Sequence, residues 1–301
     1  MITINAFAKI NLTLRVLGAR ADGYHNVQTV LQSIALHDTL TFRTARGAFR
    51  IECDDPACPT DRTNLVWRAA TLVWRATGRG GQPRNAVVRL VKRIPLQSGL
   101  GGGSSDAVAA IRGLAALWRA DLPRPRQHAI AATLGSDVPF FLQGGTALGL
   151  ERGELLFPLA DWPLAWVTLV IPPFGVSTKD AYGWLALSGS RVSRTARGRG
   201  AQPSPDPLPQ ALLPMEELRN DLEPVVAAQH PEIARIVRGL GRQGARYAAM
   251  SGSGSAVFGL FPSRAAAEAA AHAIGPEGGR SLVTRTLGRA RYRALTRERR
   301  S

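Results

Sequence analysis

At 301 residues the chain is long enough for one large or two modest domains, and its 45% hydrophobic content argues against disorder over most of its length. It has no run of about eighteen apolar residues to cross a membrane, and its alternating start, MITINAFAKINLTLRV, lacks the charged head and apolar block of a signal peptide, so a cytoplasmic protein is expected. Lys and Arg number 38 against 22 acidic residues, a net charge of +16 that fits either nucleic-acid binding or attraction of an anionic substrate.

In chain order, residues 2–17 alternate as one long strand or a bent pair. ADGYHN (Ala21 to Asn26) is a polar turn, and VQTVLQSIALHDTLTFRTA reads as two shorter strands around a turn at Asp38. Cys53 and Cys58, in CDDPACPT, have no histidine close in sequence to complete a zinc site and are expected to be ordinary thiols. Leu65, Val66, Ala69, Leu72, Val73 and Ala76 recur at helical spacing behind an N-cap at Thr63 or Asn64. NAVVRLVKRIP, β-branched and ended by Pro95, is a strand. After a glycine run, Val108, Ile111, Leu114, Leu117 and Trp118 share a helical stripe, and RQHAIAATLG is a further helix. In SDVPFFLQGG, Ser136 or Asp137 is placed to cap a turn that has Pro139 early in it. TALGLERGELLFPL is a hairpin around Arg152 and Gly153.

A second unit starts near Pro158, giving expected domains at 1–155 and 156–290 and a loose basic tail at 291–301. LAWVTLVIPP is a buried strand, and STKDAYGWLA is a short helix capped by Ser177 or Thr178. Ser188 to Gln210 has many Gly, Pro, Ser and Arg and no periodicity, the pattern of a flexible surface insertion. HPEIARIVRGLGRQG is a helix, ARYAAM–SGSGS–AVFGLF is strand–loop–strand, SRAAAEAAAHAIG is a helix and SLVTRTLGR a last strand. The class is α+β, with the second half a small sandwich that carries its helices on one sheet face.

Only Lys9, Lys92 and Lys179 are lysines, in a chain where arginine dominates; a lysine kept against that drift marks a place for a compact ammonium rather than a planar fork. The stretch PLQSGLGGGSSDAVAAI, residues 95–111, lies between a strand and a helix and so is no linker. Backbone N–H groups at a helix N-terminus are unpaired and partly positive, and small residues let a phosphate come close. No lysine follows to make a Walker loop, and Ser104 stands where the dinucleotide fingerprint needs its third glycine. The His-Arg-Asp and Asp-Phe-Gly elements of protein kinases are absent from the sequence. Asp137, ahead of the dry stretch VPFF, reads as a general base or a helix cap. Lys9, in the apolar strand AFAKINL, reads as an exposed lysine or a buried one in need of a partner.

IPLQSGLGGGSSDAVAA resembles the ATP-binding motif of the GHMP small-molecule kinases, the superfamily of galactokinase, homoserine kinase and mevalonate kinase. AFAKINLTLRVLGARADGYHNVQTVLQSI, TLGSDVPFFLQGGTALGLERGE and MSGSGSAVFGLF are similar to further signatures of these kinases, and TNLVWRAA and RNDLEPVV agree, all in order along the chain. The triple glycine Gly101, Gly102 and Gly103 resembles one branch, whose substrate is 4-diphosphocytidyl-2-C-methyl-D-erythritol. The resemblance implies a two-domain GHMP kinase fold, with a ribosomal-protein-S5-like N-terminal domain and a ferredoxin-like α/β sandwich behind it. It implies ATP and Mg²⁺ as cofactors, that small molecule as substrate, no nucleic-acid or membrane partner, and a monomer or homodimer. The reaction implied is ATP-dependent phosphorylation of the substrate's 2-hydroxyl in the non-mevalonate isoprenoid pathway. On this resemblance Pro95, Leu96, Gln97, Ser98, Gly99, Leu100, Gly101, Gly102, Gly103, Ser104 and Ser105 cradle ATP, with Ser104 or Ser105 placing Mg²⁺ and Asn64 and Lys92 on the adenine side. Asp137 matches the base and Lys9 its cationic partner. Asn11 follows Lys9 on the same strand face, Tyr24 and His25 hold the cytosine, Thr178 touches the substrate from the second domain, and Ser251 to Ser255 close over its phosphates. Gln97 and Ser98 depart from the pattern, which has Gly or Ala there more often. Homoserine or mevalonate kinase and, in another class, an RNA-binding protein of the same ribosomal fold remain the alternatives.

Overall fold

The computed structural model describes residues 1–21, 23–188, 218–275 and 278–300. The chain opens with two long strands paired antiparallel, β1 (Ile2–Ala19) and β2 (His25–Ala48), with His25 and Asn26 already in the second strand. β2 is one strand where two were expected. Asp38 lies mid-strand and fully buried, its carboxylate accepting the N–H groups of Arg93 and Ile94. An aspartate with its own donors has no need of the turn that an exposed one favours. The irregularity near it is a bulge instead, between the pairs Phe7/His37 and Lys9/Ser33.

β3 (Arg50–Cys53) runs parallel to β4 (Arg84–Val91), which pairs with the second half of β2; β5 (Thr146–Leu150) pairs with its first half, and β6 (Leu155–Pro158) completes the hairpin. Helices α1 (Leu65–Ala76), α2 (Gly102–Leu117) and α3 (Arg124–Leu134) bury their apolar stripes against this sheet, with Val66, Val73, Ile111, Leu114 and Ile130 meeting Ile4, Leu40, Phe42 and Val88. Asn64 is the N-cap of α1, through an Oδ1 bond to the Val66 N–H.

The second sheet is antiparallel, in the order β10 (Arg280–Arg285), β7 (Trp166–Ile171), β9 (Val257–Phe261), β8 (Tyr247–Met250). Helices α4 (Thr178–Leu187), α5 (Glu223–Gln229) and α6 (Pro231–Arg242) lie between β7 and β8 in the chain, and α7 (Arg264–Ile274) between β9 and β10. First and third strands in the middle, with helical crossovers, make a ferredoxin-like sandwich. One face packs on α6 and α7 through Val170, Val257, Ile236 and Ala267; the other packs Leu169, Phe258 and Leu260 on Ile10, Leu12 and Val30 of β1 and β2. The two sheets therefore share a buried seam.

The basic tail is ordered, contrary to expectation. Helix α8 (Arg289–Leu295) buries Tyr292 while Arg291 and Arg293 face solvent, and β11 (Arg299–Arg300) pairs with Ile2 and Thr3 of β1. Tyr292 packs its ring near Phe7 and donates its hydroxyl to the Phe141 carbonyl at 2.8 Å. The arginines flanking it hide this anchor in the composition. Of the expected insertion from Ser188 to Gln210, residues 189–210 lie outside the described residues.

Candidate active site

β4 delivers the chain to the glycine stretch, and α2 leaves it. Gly101 stands at the N-cap of α2 with φ +73° and offers no side chain, so the first N–H groups of the helix keep their donors for a ligand. Gly99, at φ +75°, is pressed on the second glycine loop: a Cβ there would sit 2.1 Å from the Ser251 carbonyl oxygen. Ser251 Oγ donates to the Gly99 carbonyl at 3.1 Å, and the Ala256 N–H donates to the Ser98 carbonyl at 3.1 Å. Asn220, in RNDLEPVV, fixes that second loop by donating to the carbonyls of Met250 and Gly252, both at 2.8 Å. The two departures from the family pattern are absorbed locally. Ser98 is buried and bonds Pro95 at 2.7 Å, and Gln97 takes φ +50° with its amide against Gly175.

Lys9 is buried on β1. Its Nζ donates to Asn11 Oδ1 at 2.6 Å and to the Gly99 carbonyl at 2.7 Å, and lies 3.4 Å from Asp137 Oδ2. Asn11 is held in turn by its amide bond to Thr29 Oγ1 at 2.8 Å. Asp137 precedes a 3-10 turn (Val138–Leu142) that buries Phe140 and Phe141. Its carboxylate makes no capping bond and its side chain is 41% exposed. An accessible carboxylate beside a buried ammonium, on a dry aromatic footing, is equipped to take a proton from a bound hydroxyl.

From the second domain, Thr178 Oγ1 reaches Ser253 Oγ at 3.1 Å in the second glycine loop. His25 stacks on Tyr182 of α4, with centroids 4.8 Å apart and planes at 25°. Burial first, and then the charge of Asp137, push the Tyr182 hydroxyl up, which keeps it a neutral phenol. Tyr24 is exposed, with the Arg152 guanidinium over its ring at 5.1 Å. Sequence reasoning missed Tyr182; the signal was its place one helical turn after Thr178 on the same face.

Asn64 and Lys92, expected on the adenine side, both carry bonds within the protein. Asn64 spends its side chain within its own neighbourhood, capping Val66 and donating to the Pro59 carbonyl and Cys58 Sγ. The Lys92 side chain is 3% exposed and its ammonium lies between Asp38 and Asp106. Burial disfavours that ammonium, but Asp106 and Asp38 more than restore it, and the net direction is up. Burial pushes Asp106 up to about 7 against the opposing pull of Lys92. Of the two serines, Ser105 is buried within α2 and Ser104 is half-buried. Cys53 and Cys58 are free thiols, and burial, followed by the hydrogen bond with Cys53, pushes Cys58 up to about 12, which leaves it unreactive.

Residues 64–145 match the family described as GHMP kinases N terminal domain, and residues 209–280 match GHMP kinases C terminal. A 4-diphosphocytidyl-2-C-methyl-D-erythritol kinase of Solibacter usitatus is 45% identical over 301 residues, spanning 98% of this chain and 91% of that protein. One of the same name from Moorella thermoacetica is 42% identical over 288 residues, spanning 95% and 99%. Among solved structures, a crystal structure of 4-(cytidine 5'-diphospho)-2C-methyl-D-erythritol kinase superposes with a TM-score of 0.75 at 33% identity, over 95% of this chain and 99% of the other. The chain is a kinase, and it belongs to the 4-diphosphocytidyl-2-C-methyl-D-erythritol kinase family of the GHMP kinases.

Proposed function

We propose that the chain transfers the γ-phosphoryl group of ATP to the 2-hydroxyl of 4-diphosphocytidyl-2-C-methyl-D-erythritol, a step of the non-mevalonate isoprenoid pathway. The observation that carries this reading is the Lys9–Asp137 pair, 3.4 Å apart, with Lys9 bonded to the very loop that leads into an uncapped helix N-terminus. Residues 95–105 hold the triphosphate through backbone N–H groups, as the open start of α2 supports. Asp137 accepts the proton of the hydroxyl as its oxygen attacks phosphorus, and Lys9 balances the charge and polarises that oxygen. Asn11 keeps the ammonium aimed. Tyr24, His25 and Tyr182 take the cytosine by stacking and by hydrogen bonds to its edge, while Thr178 and the 251–255 loop reach the diphosphate from the far side. In this division the first domain, 1–155, carries the nucleotide, and the second, 156–290, closes on the substrate.

When bound, Mg²⁺ neutralises charge on the transferring phosphates. Ser104, half-buried in the first turn of α2, would offer that ion a hydroxyl oxygen. The test is ADP release from ATP with 4-diphosphocytidyl-2-C-methyl-D-erythritol, homoserine and mevalonate in parallel. Turnover of the cytidine ester alone is expected, with the new phosphate on its 2-hydroxyl. Preference for either of the other alcohols would overturn the reading.

A further inference from the structure

Three titratable groups are clustered beneath the phosphate loop: Asp38 on β2, Lys92 just past β4, and Asp106 in α2. Their side chains are 0%, 3% and 4% exposed. Asp38 Oδ1 accepts the backbone N–H groups of Arg93 at 2.6 Å and Ile94 at 2.8 Å, the two residues immediately before Pro95. Its other oxygen accepts from Lys92 Nζ, which also donates to Asp106 Oδ2 at 3.0 Å, immediately after Ser105. The Lys92 backbone N–H is tied down as well, to Asp54 Oδ1 at 2.8 Å. One continuous chain of side-chain bonds therefore joins the upstream end of residues 95–105 to the downstream end. The ammonium at its centre lies 3.3 Å from the position a Cβ would take on Gly102, the first residue of α2.

Such a bridge is a poor source of stability. Buried ion pairs often do no better than apolar residues of the same volume, because desolvation offsets attraction. This one sets two carboxylates against one ammonium, and Asp106 Oδ1 has no hydrogen-bond partner. What it does provide is a fixed span between the end of a strand and the start of a helix. That span is the width of the cradle between them. The ammonium also explains a lysine in an arginine-rich chain: a point charge fits between two carboxylates under a helix, where a guanidinium would need room for its fork.

We propose that Asp38, Lys92 and Asp106 are positioning residues that set the width of the triphosphate cradle by fastening its two ends together. The inference rests on the reading of residues 95–105 as the ATP loop. The test measures three quantities for the unaltered chain, Asp106→Leu and Asp106→Asn: ADP affinity by calorimetry, melting temperature, and KM for each substrate. Asp106→Leu frees the downstream end while leaving Lys92 and Asp38 as a balanced pair, so the fold and its melting temperature are expected to be retained. ADP affinity should weaken about tenfold or more, and KM for ATP rise with it, because small misplacements of a cradle are costly. KM for the alcohol should stay within about twofold, since its contacts lie elsewhere. Asp106→Asn keeps an acceptor for Lys92 and should recover most of the ADP affinity.

If Asp106→Leu fails to fold, the uncharged set Asp38→Asn, Lys92→Met and Asp106→Leu takes its place, with the same loss of ADP affinity expected. A folded variant with unchanged ADP affinity, or one whose two KM values rise together, would overturn the proposal. An unaltered chain that binds ADP but ignores the cytidine ester would sink the substrate reading alone, because the ADP comparison stands without it. An unaltered chain that binds no ADP would overturn both.

Discussion

Asp137 occupies a capping position and caps nothing, which frees its carboxylate for chemistry. Asp137→Asn and Lys9→Ala should each lower kcat by about 10²–10⁴, the range of general acid–base assistance, with the far-ultraviolet dichroism unchanged. Near-normal turnover in either variant would reject that residue's role. Gly99→Ala tests the loop contact: with φ at +75° and a carbonyl in the way, it should destabilise the fold by about 1–3 kcal/mol in urea titration and lower kcat/KM with it. Individual residues were legible where type and place agreed, as in the ammonium of an apolar strand at Lys9. Bonding partners stayed hidden where they were remote in sequence. The ion partners of Lys92, Asp38 and Asp106, stand 54 and 14 positions away and come together only in the fold. The Asn64 cap was legible at the start of a helical stripe, where its oxygen accepts the Val66 N–H.

Periodicity carried most of the elements. The stripes of α1, α2 and α6 were plain, since buried faces at helical spacing leave little else to form. Short elements such as β3 and α5 carry too few residues for a period to show. In β2 a single aspartate broke the pattern and suggested a turn, because its donors come from a distant segment. In α8 the arginines drowned the signal of one tyrosine. That helix makes its own prediction. Tyr292→Ala should cost about 3–5 kcal/mol of stability, as for other large buried rings, and should also lower kcat. The ring's hydroxyl holds the carbonyl of Phe141, in the turn that follows Asp137. Tyr292→Phe keeps the packing and should cost only about 1 kcal/mol, the worth of one hydrogen bond. Urea titration beside steady-state kinetics separates the two effects; equal stability in Tyr292→Ala and the unaltered chain would return the tail to the loose state expected of it.

For the molecule as a whole, the net charge of +16 gains a use if both substrates are anions. The ratio kcat/KM should fall as ionic strength rises from about 0.05 to 0.5 M, where the screening length shrinks from above 10 Å to a few Å, while kcat holds. A flat response would assign the arginine excess to composition alone. Two units were legible from composition and motif order. The seam between them was not, because Ile10, Leu12 and Val30 read as ordinary core until Leu169, Phe258 and Leu260 are laid on them.

The contact of Gly99 with Ser251 has a meaning for substitution as well as for geometry. The two residues stand 152 positions apart, yet any side chain at the first must displace the backbone of the second. Each loop thus limits the side chains the other can accept. Grafting a second domain from a distant GHMP kinase onto residues 1–155 exchanges one loop of that pair, and the hybrid's lost activity should return only when both glycine loops come from the same parent.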